Sequence, residues 1–217
     1  MICWSCEKNA GGGLTCASCG AIQPPDPKAD HFQVFGIERR YAVDVADLER
    51  RYKDMTKVLH PDRYARADER ARRASLKRSM QLNQAWRTLK DPVRRAEYLL
   101  SLAGVEVGAE DGTSRRVDGQ RVRLPVAPAL LMEVMELREG LADARAAQDH
   151  TRVDALATGV RRRKESALRA VGSVFAQKTP DLEAIAHDLV AVRYYDRFLD
   201  EVAAHEEATA EAAGHAG

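Results

Sequence analysis

Residues 58–66 read VLHPDRYAR, and this stretch interrupts a basic, helix-forming sequence at His60-Pro61-Asp62. Pro61 has no backbone N–H to continue a helix, and it also pushes the residue before it out of the α region. Asp62 supplies a side-chain acceptor where a turn or a new helix begins. The triplet therefore predicts a turn between two helices. A turn explains Pro61 well and Asp62 partly, but it does not explain His60.

The residues on either side of this turn have helical patterns. Asp44 is a predicted N-cap, and on a helical wheel of residues 45–59 one face is apolar, formed by Leu48, Tyr52, Met55 and Leu59. The opposite face is a basic stripe, formed by Arg50, Lys53 and Lys57. After the turn a longer helix is predicted over residues 67–89, which makes an antiparallel helical hairpin. Such a stripe is by itself most often a solvated surface.

This arrangement resembles the J-domain, which has a short first helix, a basic second helix, an HPD loop and a long third helix. Here the first element is DHFQVFGI, and the resemblance covers residues 30–104. The resemblance implies binding to a DnaK-type heat-shock ATPase and stimulation of its ATP hydrolysis. It implies that His60, Pro61 and Asp62 form the essential loop, and that the electrostatic docking face is formed by Arg50, Lys53 and Lys57. The DnaJ type often has lysine after HPD, and Arg63 keeps that charge.

The composition favours an all-α, globular chain of 217 residues with an uneven charge distribution. Residues 30–104 carry 17 Lys/Arg and 11 Asp/Glu, whereas residues 129–217 carry 11 and 16. This split argues against nucleic-acid binding along the whole chain. No apolar run approaches the roughly 18 residues of a membrane span, and no signal-peptide pattern opens the sequence, so we expect no membrane partner and a cytoplasmic location. The sequence contains no recognisable nucleophile–base pair or phosphate-binding loop, so we do not expect an enzyme.

All four cysteines lie in the first 19 residues, as Cys3-x-x-Cys6 and Cys16-x-x-Cys19. Each pair can form a turn that points two thiolates at one ion, and two such turns complete a tetrahedral site. This predicts a metal-binding hairpin module over residues 1–23 that folds around structural zinc, with iron as the alternative metal. A thiol–disulfide redox pair is the competing function, but it is typical of a βαβ context, and a Pro-rich stretch follows here.

Three segments of the sequence lack a helical pattern of apolar residues. A Pro-rich linker is predicted over residues 24–29, a connecting loop over residues 105–126 and a flexible tail over residues 206–217.

Residues 127–205 contain three long helical patterns and predict an antiparallel three-helix bundle. On a wheel of the first pattern, residues 129–144, a narrow stripe suited to the core is formed by Leu130, Val134, Leu137 and Leu141. A second apolar face lies among acidic residues and contains Leu131, Met132 and Met135 beside Glu136, Glu139 and Asp143. In the last pattern Tyr194 and Phe198 are predicted to face away from the apolar seam. Packing beneath a neighbouring helix and an exposed partner surface explain the second face equally well.

The combination of a J-domain with LMEVMELRE, a three-helix bundle and RYYDRFLD is similar to HscB, the J-type co-chaperone family of iron–sulfur cluster assembly. NQAWRTLKDPVRRAEYLL at residues 83–100 also resembles that family. The resemblance implies that the bundle binds the IscU-type cluster scaffold and that the J-domain docks on an HscA/DnaK-type ATPase. By position, the scaffold-binding patch would be Leu131, Met132, Met135, Glu136, Glu139, Asp143 and Tyr194. A tetracysteine module occurs in some members of the family.

Two other functions remain open at this stage. One is a J-domain co-chaperone for a different client, in which the bundle is only a stalk. The other is a zinc-ribbon nucleic-acid binder that uses the basic helices, although the acidic C-terminal half and the lack of stacking aromatics near the cysteines argue against it. The role of the cysteine module is also open: it could be a folding staple, a homodimer contact or a sensor.

Overall fold

The computed structural model describes residues 1–107, 113–117 and 120–215, and these residues are largely helical. They form two compact units, which divide between Arg95 and Ala96. The predicted helical fold class is confirmed, with a small sheet in addition.

The first unit contains the predicted helical hairpin. Its elements are α1 (His31–Phe35), α2 (Val45–Leu59), a short 3₁₀ helix (Pro61–Tyr64), α3 (Glu69–Lys90) and the start of α4 (Pro92–Leu102). Aspartates determine where three of these helices begin, because their carboxylates accept from the first free amides. Asp30 caps α1 and forms a capping box with Gln33, Asp44 caps α2 as predicted, and Asp68 caps α3.

The core of this unit lies between α2, α3 and the short helix α1. Its fully or nearly fully buried side chains are Phe32, Phe35, Leu48, Leu59, Leu82, Ala85 and Leu89. Tyr52 of α2 stacks on Trp86 of α3 with ring centroids 4.9 Å apart, and its hydroxyl donates to Asn83 Oδ1 at 2.9 Å. Tyr52 contacts Asn83 and Trp86, whereas Leu59 at the end of α2 is bonded to Ser75, so α2 and α3 run antiparallel, as the turn at Pro61 predicted.

Residues 1–29 are bonded to α3 rather than separated from it. Arg78 donates from Nε to the carbonyl of Gln23 at 3.0 Å and from a terminal nitrogen to the carbonyl of Pro24 at 3.1 Å. Gln81 Nε2 donates to the carbonyl of Asp26 at 3.0 Å. The segment predicted as a linker therefore lies along the helix with its carbonyl groups paired.

The second unit begins with a small antiparallel sheet where a connecting loop was predicted. The strands are β1 (Val105–Val107), β2 (Thr113–Val117) and β3 (Gln120–Leu124), in the order β1-β2-β3, with Val105 opposite Arg115 and Arg115 opposite Val122. The loop prediction is wrong for these residues, while 108–112 and 118–119 lie outside the described residues. Asp118-Gly119 is a strong hairpin signal that the sequence does contain.

Three helices, α5 (Pro128–Ala146), α6 (His150–Phe175) and α7 (Leu182–His215), confirm the predicted bundle. Its core cluster consists of Leu137, Leu141, Ala144, Val153, Ala157, Val160, Tyr195, Phe198 and Val202. The prediction that Phe198 faces away from the core is wrong, since only 2% of its surface is exposed. Residues 206–215 of the predicted tail belong to α7, since their Ala- and Glu-rich sequence favours a helix, and 216–217 lie outside the described residues.

Among the described residues, no helix has the length and apolar character required to cross a membrane.

Candidate functional site

The His60-Pro61-Asp62 loop is held in one conformation by its own backbone. His60 leaves the helical region at the end of α2, and the amides of Arg63 and Ala65 donate to the carbonyls of His60 and Asp62 at 3.0 and 3.3 Å. The amide of Asp62 donates to His60 Nδ1 at 3.3 Å, so a neutral His60 carries its proton on Nε2. The Asp62 side chain is 89% exposed. The loop therefore presents a carboxylate and an imidazole to solvent on a fixed frame.

Neighbouring side chains attach this loop to the rest of the hairpin. The carbonyl of Leu59, which immediately precedes the triplet, accepts from Ser75 Oγ at 2.7 Å and from Ser79 Oγ at 3.1 Å. Tyr64 donates its hydroxyl to the carbonyl of Val58 at 3.2 Å. Sequence reasoning missed these supporting residues. The signal was present in α3, where a serine occupies a position on the buried face.

The basic stripe on α2 is exposed, as predicted, but each of its cations is paired with an acid of the same helix. Lys53 Nζ lies 2.7 Å from Glu49 and Lys57 Nζ lies 3.2 Å from Asp54, and Arg50 pairs with Asp47. Surface ion pairs of this type contribute little to stability, so a carboxylate of a partner protein can replace the intrahelical one with little loss of free energy. The pairing also makes the helix much less basic than the stripe alone suggests. A face of this kind suits an acidic protein partner better than a polyphosphate backbone.

The four cysteines converge as their spacing predicted. One ligand atom from each of Cys3, Cys6, Cys16 and Cys19 lies within 4.8 Å of all the others. The two halves repeat the same construction: the amides of Ser5 and Ser18 each donate to a cysteine sulfur at 3.4 Å. Glu7 and Gly20, which follow the second cysteine of each pair, both have positive φ angles of 59° and 74°. Each Cys-x-x-Cys pair is thus a tight turn that directs two sulfurs inward.

The spacing and electrostatics of these sulfurs fit a metal ion. Cys3 and Cys19 Sγ lie 3.6 Å apart, and Cys6 and Cys16 Sγ lie 3.8 Å apart. Four sulfurs at about 2.3 Å from a tetrahedral ion would be about 3.8 Å from one another. Burial raises the pKa of Cys3, but the amides of Cys6 and Ser5 and the thiols of Cys19 and Cys16 together lower that pKa to about 6. The amide of Lys8 lowers the pKa of Cys6, but burial and the other three thiols raise it to about 11. The thiolates repel one another, and a bound cation would offset that repulsion and let all four thiols ionise.

The second apolar face on α5 is exposed. Leu131, Met132 and Met135 are 40%, 63% and 62% exposed, and the three acids Glu136, Glu139 and Asp143 lie exposed on the same side of the helix. The opposite side of α5 is buried through Val134, Leu137, Leu141 and Ala144. The structure thus distinguishes the two explanations of this face: the methionines do not fill a gap in the bundle.

Tyr194 lies on α7 and is half-buried, with the guanidinium of Arg197 6.0 Å from its ring centre. Its neighbour Tyr195 is hydrogen-bonded to α5: the Tyr195 hydroxyl donates to the two carboxylate oxygens of Glu133 at 3.2 and 3.3 Å. Arg163 of α6 also binds Glu133, at 2.8 Å. This three-helix contact, which sequence reasoning missed, fixes the rotation of α5 next to its exposed methionines.

Comparison with known proteins places both units in one family. Residues 30–98 match the family model of the DnaJ domain, and residues 126–203 match that of the HSCB C-terminal oligomerisation domain. The chain is 31% identical over 204 residues to the iron-sulfur cluster co-chaperone protein HscB of Mus musculus, covering 92% of this chain and 80% of that protein. It is 34% identical over 180 residues to the co-chaperone protein HscB homolog of Burkholderia vietnamiensis, covering 83% and 95%.

A solved structure is also similar to this chain. The crystal structure of human co-chaperone protein HscB matches with a TM-score of 0.79 and 28% identity, over 95% of this chain and 98% of that one.

Proposed function

The chain belongs to the HscB family of iron–sulfur cluster co-chaperones, and from this premise we propose that it delivers an IscU-type scaffold protein to an HscA/DnaK-type heat-shock ATPase and stimulates that ATPase. The family is one of co-chaperones rather than of catalysts. In this proposal the J-domain contacts the ATPase and the C-terminal bundle holds the scaffold. Two contacts on one chain raise the local concentration of the client at the chaperone.

The observation that carries this proposal is the presentation of Asp62. Its carboxylate is almost fully exposed, while the backbone around it is already ordered by hydrogen bonds from Arg63 and Ala65. A loop ordered before binding loses little conformational entropy when it binds. His60 is also exposed, with its Nδ1 3.5 Å from this carboxylate, so the triplet presents an imidazole and a carboxylate together to the ATPase.

Arg50, Lys53 and Lys57 would guide the encounter with an acidic surface of the ATPase. Because their intrahelical partners are exposed carboxylates, each cation can exchange one acidic neighbour for another. Their contribution should therefore appear mainly in the association rate and in its dependence on salt.

The exposed face of α5 would bind the scaffold through Leu131, Met132 and Met135, with Glu136, Glu139 and Asp143 as the acidic rim. Methionines adapt to an irregular apolar partner, and exposed acids around them select a basic one. We include Tyr194 of α7 in this site because the family resemblance implies it.

For the tetracysteine module we propose structural zinc bound by Cys3, Cys6, Cys16 and Cys19. All four ligand positions are then filled by thiolates, which leaves none for a substrate and makes the ion a folding element. The exposed side chains of Met1 and Ile2 on the module support a homodimer contact as a second role. Free, reduced cysteines are consistent with a cytoplasmic location.

Scaffold binding is tested with the double variant Leu131→Ala/Met132→Ala, measured by calorimetry against a purified IscU-type scaffold. Removing two exposed apolar anchors should weaken binding by about 2–4 kcal/mol, or roughly 30- to 1,000-fold, with little change in thermal stability. The matched control is Leu76→Ala/Met80→Ala, an equally exposed leucine–methionine pair on α3, which should leave scaffold affinity unchanged.

Equal losses in both double variants would contradict a specific site on α5. Unchanged affinity in the α5 variant would favour a J-domain co-chaperone for a different client. The nucleic-acid alternative predicts binding to a mixed-sequence duplex that weakens steeply with added salt, which we do not expect of α2 with its paired cations.

A further inference from the structure

The tetracysteine module and the HPD loop are both hydrogen-bonded to the same segment of α3 within the first unit. The connection begins at Gln23, a fully buried residue whose side chain reaches the cysteine site. Gln23 Nε2 donates to Cys3 Sγ at 3.3 Å and to the carbonyl of Ala21 at 2.8 Å. Gln23 Oε1 is a buried oxygen for which the described residues provide no hydrogen-bond partner. Nε2 of Gln23 therefore bonds both a cysteine sulfur and the backbone of the module.

Arg78 continues the connection from the module to α3. Its guanidinium donates to the main-chain carbonyls of Gln23 and Pro24, the first of which belongs to the same residue that contacts the sulfur. Burial lowers the pKa of Arg78, while the carboxylate of Asp26 opposes that change. A partly buried arginine that bonds two main-chain carbonyls at once is a rigid connector, because its planar fork loses little freedom on bonding.

The same part of α3 also bonds the residue that precedes the HPD loop. Ser75 and Ser79 flank Arg78 on α3, and both donate to the carbonyl of Leu59, the residue that precedes the His60-Pro61-Asp62 loop. Displacement of this part of α3 would therefore disturb the anchor of the loop. The same helix segment thus binds the module on one side and the loop on the other.

We propose that metal binding at the four cysteines stabilises the HPD loop through Gln23, Arg78 and the two serines of α3. The module is then a metal-dependent brace for the J-domain and not an independent appendage. Zinc orders the residues around Cys3, this fixes Gln23 and Pro24, and Arg78 transmits the constraint to α3. This role rests on the proposed function for zinc at the four cysteines and for its consequence, faster ATP hydrolysis by the chaperone.

The test measures amide hydrogen exchange in the full chain, with bound Zn²⁺ and after its removal by a chelator under reducing conditions. The amides of Arg63 and Ala65, bonded within the loop, report local opening. We expect zinc to slow their exchange at least about fivefold, the lower end of typical coupling between two sites. In Arg78→Met, which keeps the aliphatic stem, zinc should still bind but should no longer slow exchange in the loop. Arg72→Met, an exposed arginine on the same helix, should behave as the unsubstituted chain.

A second variant, Gln23→Ala, tests the first step independently. Loss of the contact with Cys3 should weaken zinc binding at least about tenfold in competition with a chelator, as is typical for residues that bond to metal ligands. Zinc-independent exchange in the unsubstituted chain would overturn the proposal, and so would a full zinc effect in Arg78→Met. Unchanged zinc affinity in Gln23→Ala would remove Gln23 from the path. None of these measurements uses the chaperone, so failure of the proposed function would be seen separately.

Discussion

The two serines that hold the HPD loop share a single acceptor, and this makes their contributions non-additive. Ser75 is fully buried and Ser79 is half-buried, and both hydroxyls donate to the carbonyl of Leu59. Pro61 has no N–H, and the amide of Arg63 donates to the carbonyl of His60 instead. The carbonyl of Leu59 therefore depends on the serines. We predict that either Ser→Ala change is mild, whereas the double change is not.

The magnitude follows from the number of bonds that remain. A single Ser→Ala removes one hydrogen bond, which costs about 1 kcal/mol, and gains about 0.5 kcal/mol in helix propensity, for a net loss of about 0.5 kcal/mol. The double change removes both bonds and leaves a buried carbonyl unpaired, which adds about 1 kcal/mol. After the propensity gain, the double variant loses about 2 kcal/mol. The expected coupling between the two sites is therefore about 1 kcal/mol.

Urea unfolding of the zinc-loaded chain, fitted to the first unit, measures all four members of this cycle. Exchange of the Arg63 amide provides a local readout and should accelerate most in the double variant. Strictly additive losses, or a double variant that is no less stable than Ser75→Ala alone, would refute the argument that the serines jointly satisfy one carbonyl.

Three further predictions concern the other elements. In the cysteine turns, both Glu7 and Gly20 have positive φ, which favours glycine. Gly20→Ala should therefore lower the stability of the zinc-loaded chain by about 1 kcal/mol, and Glu7→Gly should raise it by about 0.5 kcal/mol, as measured by thermal unfolding. Stabilisation by Gly20→Ala or destabilisation by Glu7→Gly would contradict this prediction. In the bundle, Phe198→Ala should cost about 3–5 kcal/mol and the half-buried Tyr194→Ala much less, and equal losses by denaturant titration would argue against the observed core. Burial lowers the pKa of His31 below its ordinary 6.5, with Asp30 opposing, so the unfolded chain binds more protons than the folded one. The free energy of unfolding should therefore fall as the pH drops through 6.5, and His31→Gln should reduce that dependence on pH. An equal pH dependence in both chains would contradict this prediction.

Much of the site could be predicted where a few residues impose a local geometry. Pro61 requires a turn in any context, so the hairpin and the exposed loop followed from one position. The cysteine spacing likewise determined which sulfurs meet, because each pair closes within one turn. The exposed face of α5 was located by its wheel, although its exposure required the structure, since a wheel does not show which faces neighbouring helices cover.

The remaining features depend on contacts between distant residues. Phe198 was misplaced because α7 packs against both α5 and α6, so its buried surface is wider than a single seam. The small sheet was missed because its strands are only three to five residues long and TSRRV at 113–117 does not alternate, and the register came from pairing rather than from propensity. The attachment of residues 23–26 to α3 joins residues 54 and 55 positions apart, which periodicity does not encode. The acids that pair with the basic stripe lie three or four residues from it on the same helix, so their spacing could have been read from the sequence.

The most direct test of the central claim is steady-state ATP hydrolysis by the cognate HscA/DnaK-type chaperone, measured with the unsubstituted chain and with Asp62→Asn, each with and without the scaffold. The account predicts stimulation by the unsubstituted chain, further synergy with the scaffold, and the loss of both in Asp62→Asn, whose fold and scaffold affinity should be unchanged. Equal stimulation by Asp62→Asn, or none by the unsubstituted chain with any pairing, would contradict it.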